Sequence, residues 1–156
     1  MAITVGTVAP HFALPCKPGE EVDVGALLGR EKVVLLFFPM AFSSVCTEEM
    51  CTFRDSWSDW STLGCKVFGV CADNPWVTDR YRADLGVPFP ILSDFNKTVC
   101  EAYDALHAQL GPFKGVPKRA AFVIGSDGKV SYAWEAEIPK TQVDFAAIRA
   151  AVTAAR

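Results

Sequence analysis

Two kinds of apolar spacing alternate along the chain. Residues 33–38 (VVLLFF) and 66–72 (KVFGVCA) are short and almost continuously apolar, as in strands buried on both faces. Residues 89–92 read as a short strand bounded by prolines, and 120–124 and 129–134 flank the turn sequence GSDG as a hairpin. Elsewhere the spacing changes to threes and fours, which predicts helices over about 45–62, 76–85, 97–108 and 142–155. The last carries Phe145, Ile148, Val152 and Ala155 on one face. The opening APHFALPCKPGEEVDVGALLG reads as short extended pieces around a Pro/Gly turn. Strands alternating with helices predict an α/β layered fold, and the late hairpin makes its sheet mixed. No repeat or linker interrupts the pattern, so one domain spanning 1–156 is expected.

The helix expected from about 45 holds the candidate chemistry. Its stripe is Cys46, Met50, Phe53, Trp57 and Trp60, spaced four, three, four and three. Ser43 or Ser44 can serve as N-cap, Glu48 and Glu49 fall in or near the first turn, and Gly64 is a stop. Cys46 therefore sits beside backbone N–H groups that lack intrahelical acceptors, a setting that stabilises a thiolate. Glu48 and Glu49 would oppose this, so a cation is needed nearby. Cys51 lies about 140° around the helix, off the stripe, with its Cα about 8.6 Å from that of Cys46. A disulfide spans roughly 4.4–6.8 Å, so a bridge between them requires unwinding. The spacing alone also admits two independent structural cysteines.

Composition narrows the classes. Hydrophobic residues make up 51% and charged ones 21%, as in a globular chain. A net charge of −3 leaves no basic footprint for nucleic acid, and no Lys/Arg cluster suits an anionic membrane surface. The longest apolar run, 33–42, is too short to span a bilayer and contains Pro39. MAITVGTVAP lacks the pattern of a signal peptide, so a cytoplasmic protein is expected. The six cysteines (16, 46, 51, 65, 71 and 100) include no C-x-x-C pair, against a zinc ribbon or a thioredoxin-type dithiol. His11 and His107 stand in unrelated contexts, and neither a metal nor a cofactor is expected. Trp76, Tyr81 and Tyr103 read as core or interface aromatics.

FPMAFSSVC resembles the peroxiredoxin active-site motif, with Pro39, Ser43 and Cys46 at its matching positions. GVPKRAAFVI is similar to the family segment in which an arginine, here Arg119, precedes a core strand; FPILSD and VAPHFALP are similar too. The resemblance covers about residues 3–155. The four residues between the cysteines are similar to the Q-type, or bacterioferritin-comigratory, branch, in which the second cysteine, here Cys51, resolves the first. Ser43 stands where Thr is usual and Met40 where a small residue is common, while SDF and Glu49 are similar to a one-cysteine branch.

The resemblance implies a thioredoxin-like fold, a central mixed sheet flanked by helices. It also implies a thiol-dependent peroxidase acting on hydrogen peroxide and organic hydroperoxides. Cys46 would become a sulfenic acid, and Cys51 would close an intramolecular disulfide on it after local unwinding. Thioredoxin or another dithiol would then reduce the bridge. Cys100 is the runner-up resolving thiol. The Ser43 hydroxyl and N–H groups near Val45 and Cys46 would donate to the departing oxygen. Arg119 would supply a cationic fork, and Pro39 would shield the sulfur. Glu49 would either orient the arginine or, as the ordinary reading, be a solvated helix-face carboxylate. Phe42 and Trp76 hint at room for larger substrates. The implied partners are a peroxide and a dithiol, with no nucleic acid or membrane, and the chain would be a monomer or homodimer. Two alternatives stay open: a one-cysteine peroxidase recycled by an external thiol, and a non-catalytic peroxide-responsive sensor. The isomer of the Val116–Pro117 bond is also open.

Overall fold

A computed structural model describes residues 3–138 and 140–156. The extended pieces at the start pair as an antiparallel hairpin, β1 (Ala13–Lys17) and β2 (Glu20–Asp23), followed by a 3-10 turn, Val24–Ala26. Then come β3 (Lys32–Phe37), α1 (Ser44–Asp55), α2 (Trp57–Ser61), β4 (Cys65–Cys71), α3 (Pro75–Leu85), β5 (Ile91–Ser93) and α4 (Thr98–Ala102). A small hairpin follows, β6 (Gln109–Leu110) and β7 (Phe113–Lys114), and the chain ends with β8 (Ala120–Ile124), β9 (Val130–Glu135) and α5 (Phe145–Ala154). The central sheet has the order β5-β4-β3-β8-β9, parallel on the β4 and β5 side of β3 and antiparallel on the β8 and β9 side. This is the mixed sheet that the late hairpin required.

Because strand side chains alternate, β3 divides the core between two faces. Val33, Leu35 and Phe37 pack with Leu92, Cys100, Tyr103 and Phe122. Val34, Leu36 and the following Phe38 pack with Cys46, Met50, Phe53, Trp60, Tyr81, Ile148 and Val152. Thus α4 and the β1–β2 hairpin cover one face, while α1, α2, α3 and α5 cover the other.

Two expectations need correction. The helix over 45–62 is broken at Ser56, whose hydroxyl donates to the Thr52 carbonyl at 2.7 Å and accepts from Trp60 Nε1 at 3.1 Å. A serine that bonds back four residues competes with the helical ladder. The helix over 97–108 stops at Ala102. Asp104 turns left-handed at φ 50°, and the chain then pairs His107 N with Val116 O and Lys118 N with Ala105 O. Of the three aromatics expected in the core or at an interface, Tyr81 and Tyr103 are fully buried and Trp76 is 69% exposed. The peptide bonds described are all trans, Val116–Pro117 included. Among the described residues, no helix is long and apolar enough to cross a membrane.

Candidate active site

The site is built where β3 hands over to α1. Phe38 N still bonds Val70 O, and Ala41 N then donates to Asp73 Oδ2 at 2.9 Å, tying the loop to the segment that follows β4. Phe42 takes a left-handed conformation at φ 67°, which costs a bulky L-residue about 1–2 kcal/mol. Its ring lies 4.9 Å from that of Tyr81, whose hydroxyl is 3.2 Å from Thr47 Oγ1 in the first turn of α1. Two surface contacts hold the helix further along: Arg54 Nη1 donates to Leu85 O at 2.7 Å and Gln142 Nε2 to Glu48 Oε2 at 3.0 Å.

The start of α1 differs from those of α3 and α5. Asn74 caps α3 by accepting from Val77 N, and Asp144 caps α5 by accepting from Ala147 N. Ser43 occupies the cap position of α1, yet its hydroxyl donates to Met40 O at 2.7 Å and makes no cap hydrogen bond. The first N–H to find an intrahelical acceptor is that of Thr47, on Ser43 O at 2.9 Å. The N–H groups of Ser44, Val45 and Cys46 have none within the helix, which leaves positive potential beside the Cys46 sulfur. With its hydrogen committed to Met40, Ser43 presents an acceptor oxygen to the site. This corrects the expectation of a donor.

Arg119 immediately precedes β8, antiparallel to β3, and that register brings it beneath the start of α1. Its Nη2 donates to Cys46 Sγ at 3.0 Å, with Cys46 completely buried and Arg119 2% exposed. Its Nη1 lies 3.6 Å from Glu49 Oε1, which also accepts from Val143 N at 3.4 Å. Glu49 is fully buried, so the solvated reading of this carboxylate is overturned. Three residues on from Cys46, it lies on nearly the same helix face, and Glu48 is the exposed acid of the pair. Burial pushes the Glu49 carboxyl up to about 7, against the lowering pull of Arg119 and of the Val143 N–H. Its Oε2 has no hydrogen-bond partner among the described residues.

A cavity of about 370 Å³ opens onto this group. Pro39, Met40 and Ser43 form one side, Arg119 lies within it, and Leu110 and Phe113 of the β6–β7 hairpin form another side, with Lys140 also lining it. The structure thus gathers Pro39, Ser43, Cys46, Glu49 and Arg119 into one place. Phe42 and Trp76 do not line the cavity; its apolar surface comes from Met40, Leu110 and Phe113. The hairpin residues escaped the periodicity reading because two-residue strands have no measurable period. The Gly-Pro turn signal within LGPF was their only trace.

All six cysteines are free thiols. Cys51 is half-buried on α1, off the core-facing stripe. Cys100 belongs to the core on the opposite face of the sheet from Cys46, so a bridge between them would require dismantling that sheet. Cys71 shares the Cys46 face, but burial, followed by the charge of Asp73, pushes its thiol well up.

Residues 5–133 match the model of the AhpC/TSA family. A Coxiella burnetii chain named as a peroxiredoxin bcp is 37% identical over 147 residues, covering 92% of this chain and 93% of that one. Peroxiredoxin Bcp of Escherichia coli K12 is 29% identical over 135 residues, covering 85% and 86%. The crystal structure of peroxidoxin BcpB from Mycobacterium tuberculosis superposes with a TM-score of 0.83 at 28% identity, covering 97% of each chain. The sheet order and this likeness make the fold thioredoxin-like. A family model matched over most of the length, together with relatives this similar, means that the chain belongs to the AhpC/TSA family, among its peroxiredoxins.

Proposed function

We propose that this peroxiredoxin reduces peroxides at Cys46, within one domain spanning residues 1–156. The observation that carries the reading is the 3.0 Å contact from Arg119 Nη2 to a buried Cys46 Sγ at an uncapped helix start. The guanidinium of Arg119 and the N–H groups of Ser44, Val45 and Cys46, which have no acceptor within the helix, place positive potential beside the sulfur, and a thiolate is the form of cysteine that attacks. The sulfur attacks the terminal oxygen of R–O–OH, the O–O bond breaks, and the departing RO⁻ takes up a proton. The products are ROH and Cys46–SOH. The acceptor oxygen of Ser43 suits the O–H of the arriving peroxide, while Arg119 and the helix N–H groups stabilise charge on the leaving oxygen. Pro39, buried and without an N–H of its own, keeps water off the sulfur. Glu49 holds Arg119 through Nη1, the terminal nitrogen that does not meet the sulfur.

The next step is condensation of Cys46–SOH with the Cys51 thiol, giving a Cys46–Cys51 disulfide and water. An external dithiol such as thioredoxin then reduces the bridge, in the cytoplasm. The start of α1 must unwind first, and two features favour that. The helix has no side-chain cap, a deficit of about 1 kcal/mol, and Phe42 leaves its left-handed conformation as the turn opens. The Thr47–Tyr81 contact opposes it.

Peroxide consumption with thioredoxin, thioredoxin reductase and NADPH tests this. Cys46→Ser should abolish turnover. Cys51→Ser should still consume one equivalent of peroxide per chain but lose sustained turnover. Full steady-state cycling in Cys51→Ser would remove Cys51 from the mechanism and leave an external thiol as resolver.

A further inference from the structure

The ties that hold α1 change in kind along its length, and Cys51 lies at the join. Ahead of it the helix start has no side-chain cap, Phe42 is left-handed, and the hydrogen bond to α3 joins two hydroxyls, those of Thr47 and Tyr81, at 3.2 Å. Behind it Arg54 Nη1 donates to Leu85 O at 2.7 Å. Leu85 is the last residue of α3, so its carbonyl has no partner within that helix, and a guanidinium there also suits the negative helix end. The ring of Phe53, fully buried, lies 4.7 Å from Trp60, 5.0 Å from Phe145 and 6.2 Å from Phe89, which sets it against α2, α5 and the segment entering β5. Arg54 stands three residues after Cys51 and is its neighbour on the helix surface. The other contact of Arg54, Nε to Asp55 Oδ1 at 2.9 Å, is made to an exposed acid and adds little.

We propose that Arg54 is the positioning residue of the resolving step. Its bond to the end of α3 holds the turn that carries Cys51 while the turns ahead of it open, so that Cys46 swings to a thiol that stays in place. This rests on the reading of Cys51 as the resolving thiol and adds how that thiol is presented. In the step itself the Cys51 thiol gives up its proton and its sulfur attacks the sulfur of Cys46–SOH. The S–O bond breaks, and the leaving hydroxide takes up a proton as water. A sulfur held on one side leaves the motion of a single segment to be ordered, whereas a helix unravelled through Asp55 leaves both sulfurs to find each other. Tyr81 has the opposite part, because its hydroxyl holds a turn that must open. The two ties run from α1 to the same helix, yet loosening them changes the closing rate in opposite directions.

In the experiment the reduced chain is mixed with hydrogen peroxide at several concentrations and quenched at intervals, and mass spectrometry reads thiol, Cys46 sulfenic acid and the Cys46–Cys51 disulfide. Oxidation is the rate that rises with peroxide, and closing of the bridge the rate that does not. Arg54→Met should close the bridge about tenfold more slowly while Cys46 oxidises at the original rate. Arg54→Lys, which keeps a cationic donor for Leu85 O, should restore most of the closing rate. Tyr81→Phe should close the bridge about fivefold faster. At high peroxide Arg54→Met should collect more Cys46 sulfinic acid, because its sulfenic acid waits longer for Cys51. Faster closing in both variants would mean that α1 unravels as a whole and overturns the inference, as does an unchanged closing rate in Arg54→Met. Should Arg54→Met fold poorly by circular dichroism, hydrogen exchange on the oxidised, unaltered chain decides. Amides of 53–55 should then stay protected while those of 44–49 lose protection, and loss through 55 overturns the inference. An unaltered chain that oxidises at Cys46 but forms no Cys46–Cys51 bridge overturns Cys51 as the resolving thiol, and this inference with it.

Discussion

Cys46 and Cys100 occupy matching local settings on opposite faces of the sheet. Each is the third residue of a helix, α1 or α4, and neither has exposed surface. What surrounds them differs in sign. Cys46 receives the guanidinium of Arg119 at 3.0 Å, and the N–H groups of its turn are left without a side-chain cap. Cys100 meets Asp94, whose Oδ2 accepts the Cys100 N–H at 2.7 Å. Burial, and after it the Asp94 carboxylate, push the Cys100 thiol far up. A cysteine at a helix start is thus neither reactive nor inert by position. Burial from water opposes a thiolate at either place, and only Cys46 has a cation from another element beside its sulfur.

The largest effect should come from removing that charge. Arg119→Met keeps much of the volume but leaves Cys46 without its cation. The kcat/KM for hydrogen peroxide should fall about 10²–10³-fold, the loss usual for a preorganised donor. Iodoacetamide alkylation of Cys46 should fall toward the rate of Cys100. A variant that alkylates and turns over at the original rate would end the contrast drawn between the two cysteines. The same change takes away the group that lowers the Glu49 carboxyl, so that carboxyl stays protonated to higher pH and a stability loss is expected that grows as pH rises above about 7. Adding Glu49→Gln should recover stability in urea melts but not activity.

Glu49 gives the next effect, visible in stability against pH. Its carboxyl sits at about 7 in the folded chain, against an ordinary 4.5. The folded chain therefore holds more protons across that window, and stability must fall as pH rises through it. The contribution is fully present below about 4.5 and gone above about 7, a loss of about 3 kcal/mol. Glu49→Gln should flatten this part of the curve of urea midpoint against pH. An unaltered protein that gains stability over the same interval would mean that Arg119 outweighs burial at this carboxylate.

The smallest effect belongs to the Cys100 side. Asp94→Asn removes a charge but keeps an acceptor for Cys100 N, and burial remains the main obstacle to ionisation. Alkylation of Cys100 in the native protein should change less than about twofold, with full reaction only in denaturant. Rapid labelling of Cys100 in Asp94→Asn would show that charge alone had silenced it.

Much of the frame was legible along the chain. The apolar runs at 33–38 and 66–72 became β3 and β4, with ends shifted by a residue, and the GSDG turn joins β8 to β9. Of the stripe Cys46, Met50, Phe53, Trp57 and Trp60, four residues are buried as spaced and Trp57, beyond the break at Ser56, is half-buried. Where reading failed, a contact from outside the segment or a side chain turned on its own backbone had intervened. Ser56 broke the long helix through its bond to Thr52, and pairing of 105–107 with 116–118 ended α4 early. Ser43 looked like a cap and instead bonds Met40. Glu49 looked solvated until Arg119 and Val143 closed over it.

The sequence by itself determined the alternation of strand and helix, the helix start at Cys46 and the off-stripe position of Cys51. Those depend on periodicity and chain stiffness, which act within a few residues. Only the tertiary structure decided which cysteine meets a cation, that Glu49 is buried, and that Leu110, Phe113 and Lys140 share a cavity with Arg119. Arg119 is 73 residues from Cys46 along the chain. Charge and burial act through space, and distances across the sheet exist only once β3 and β8 have paired.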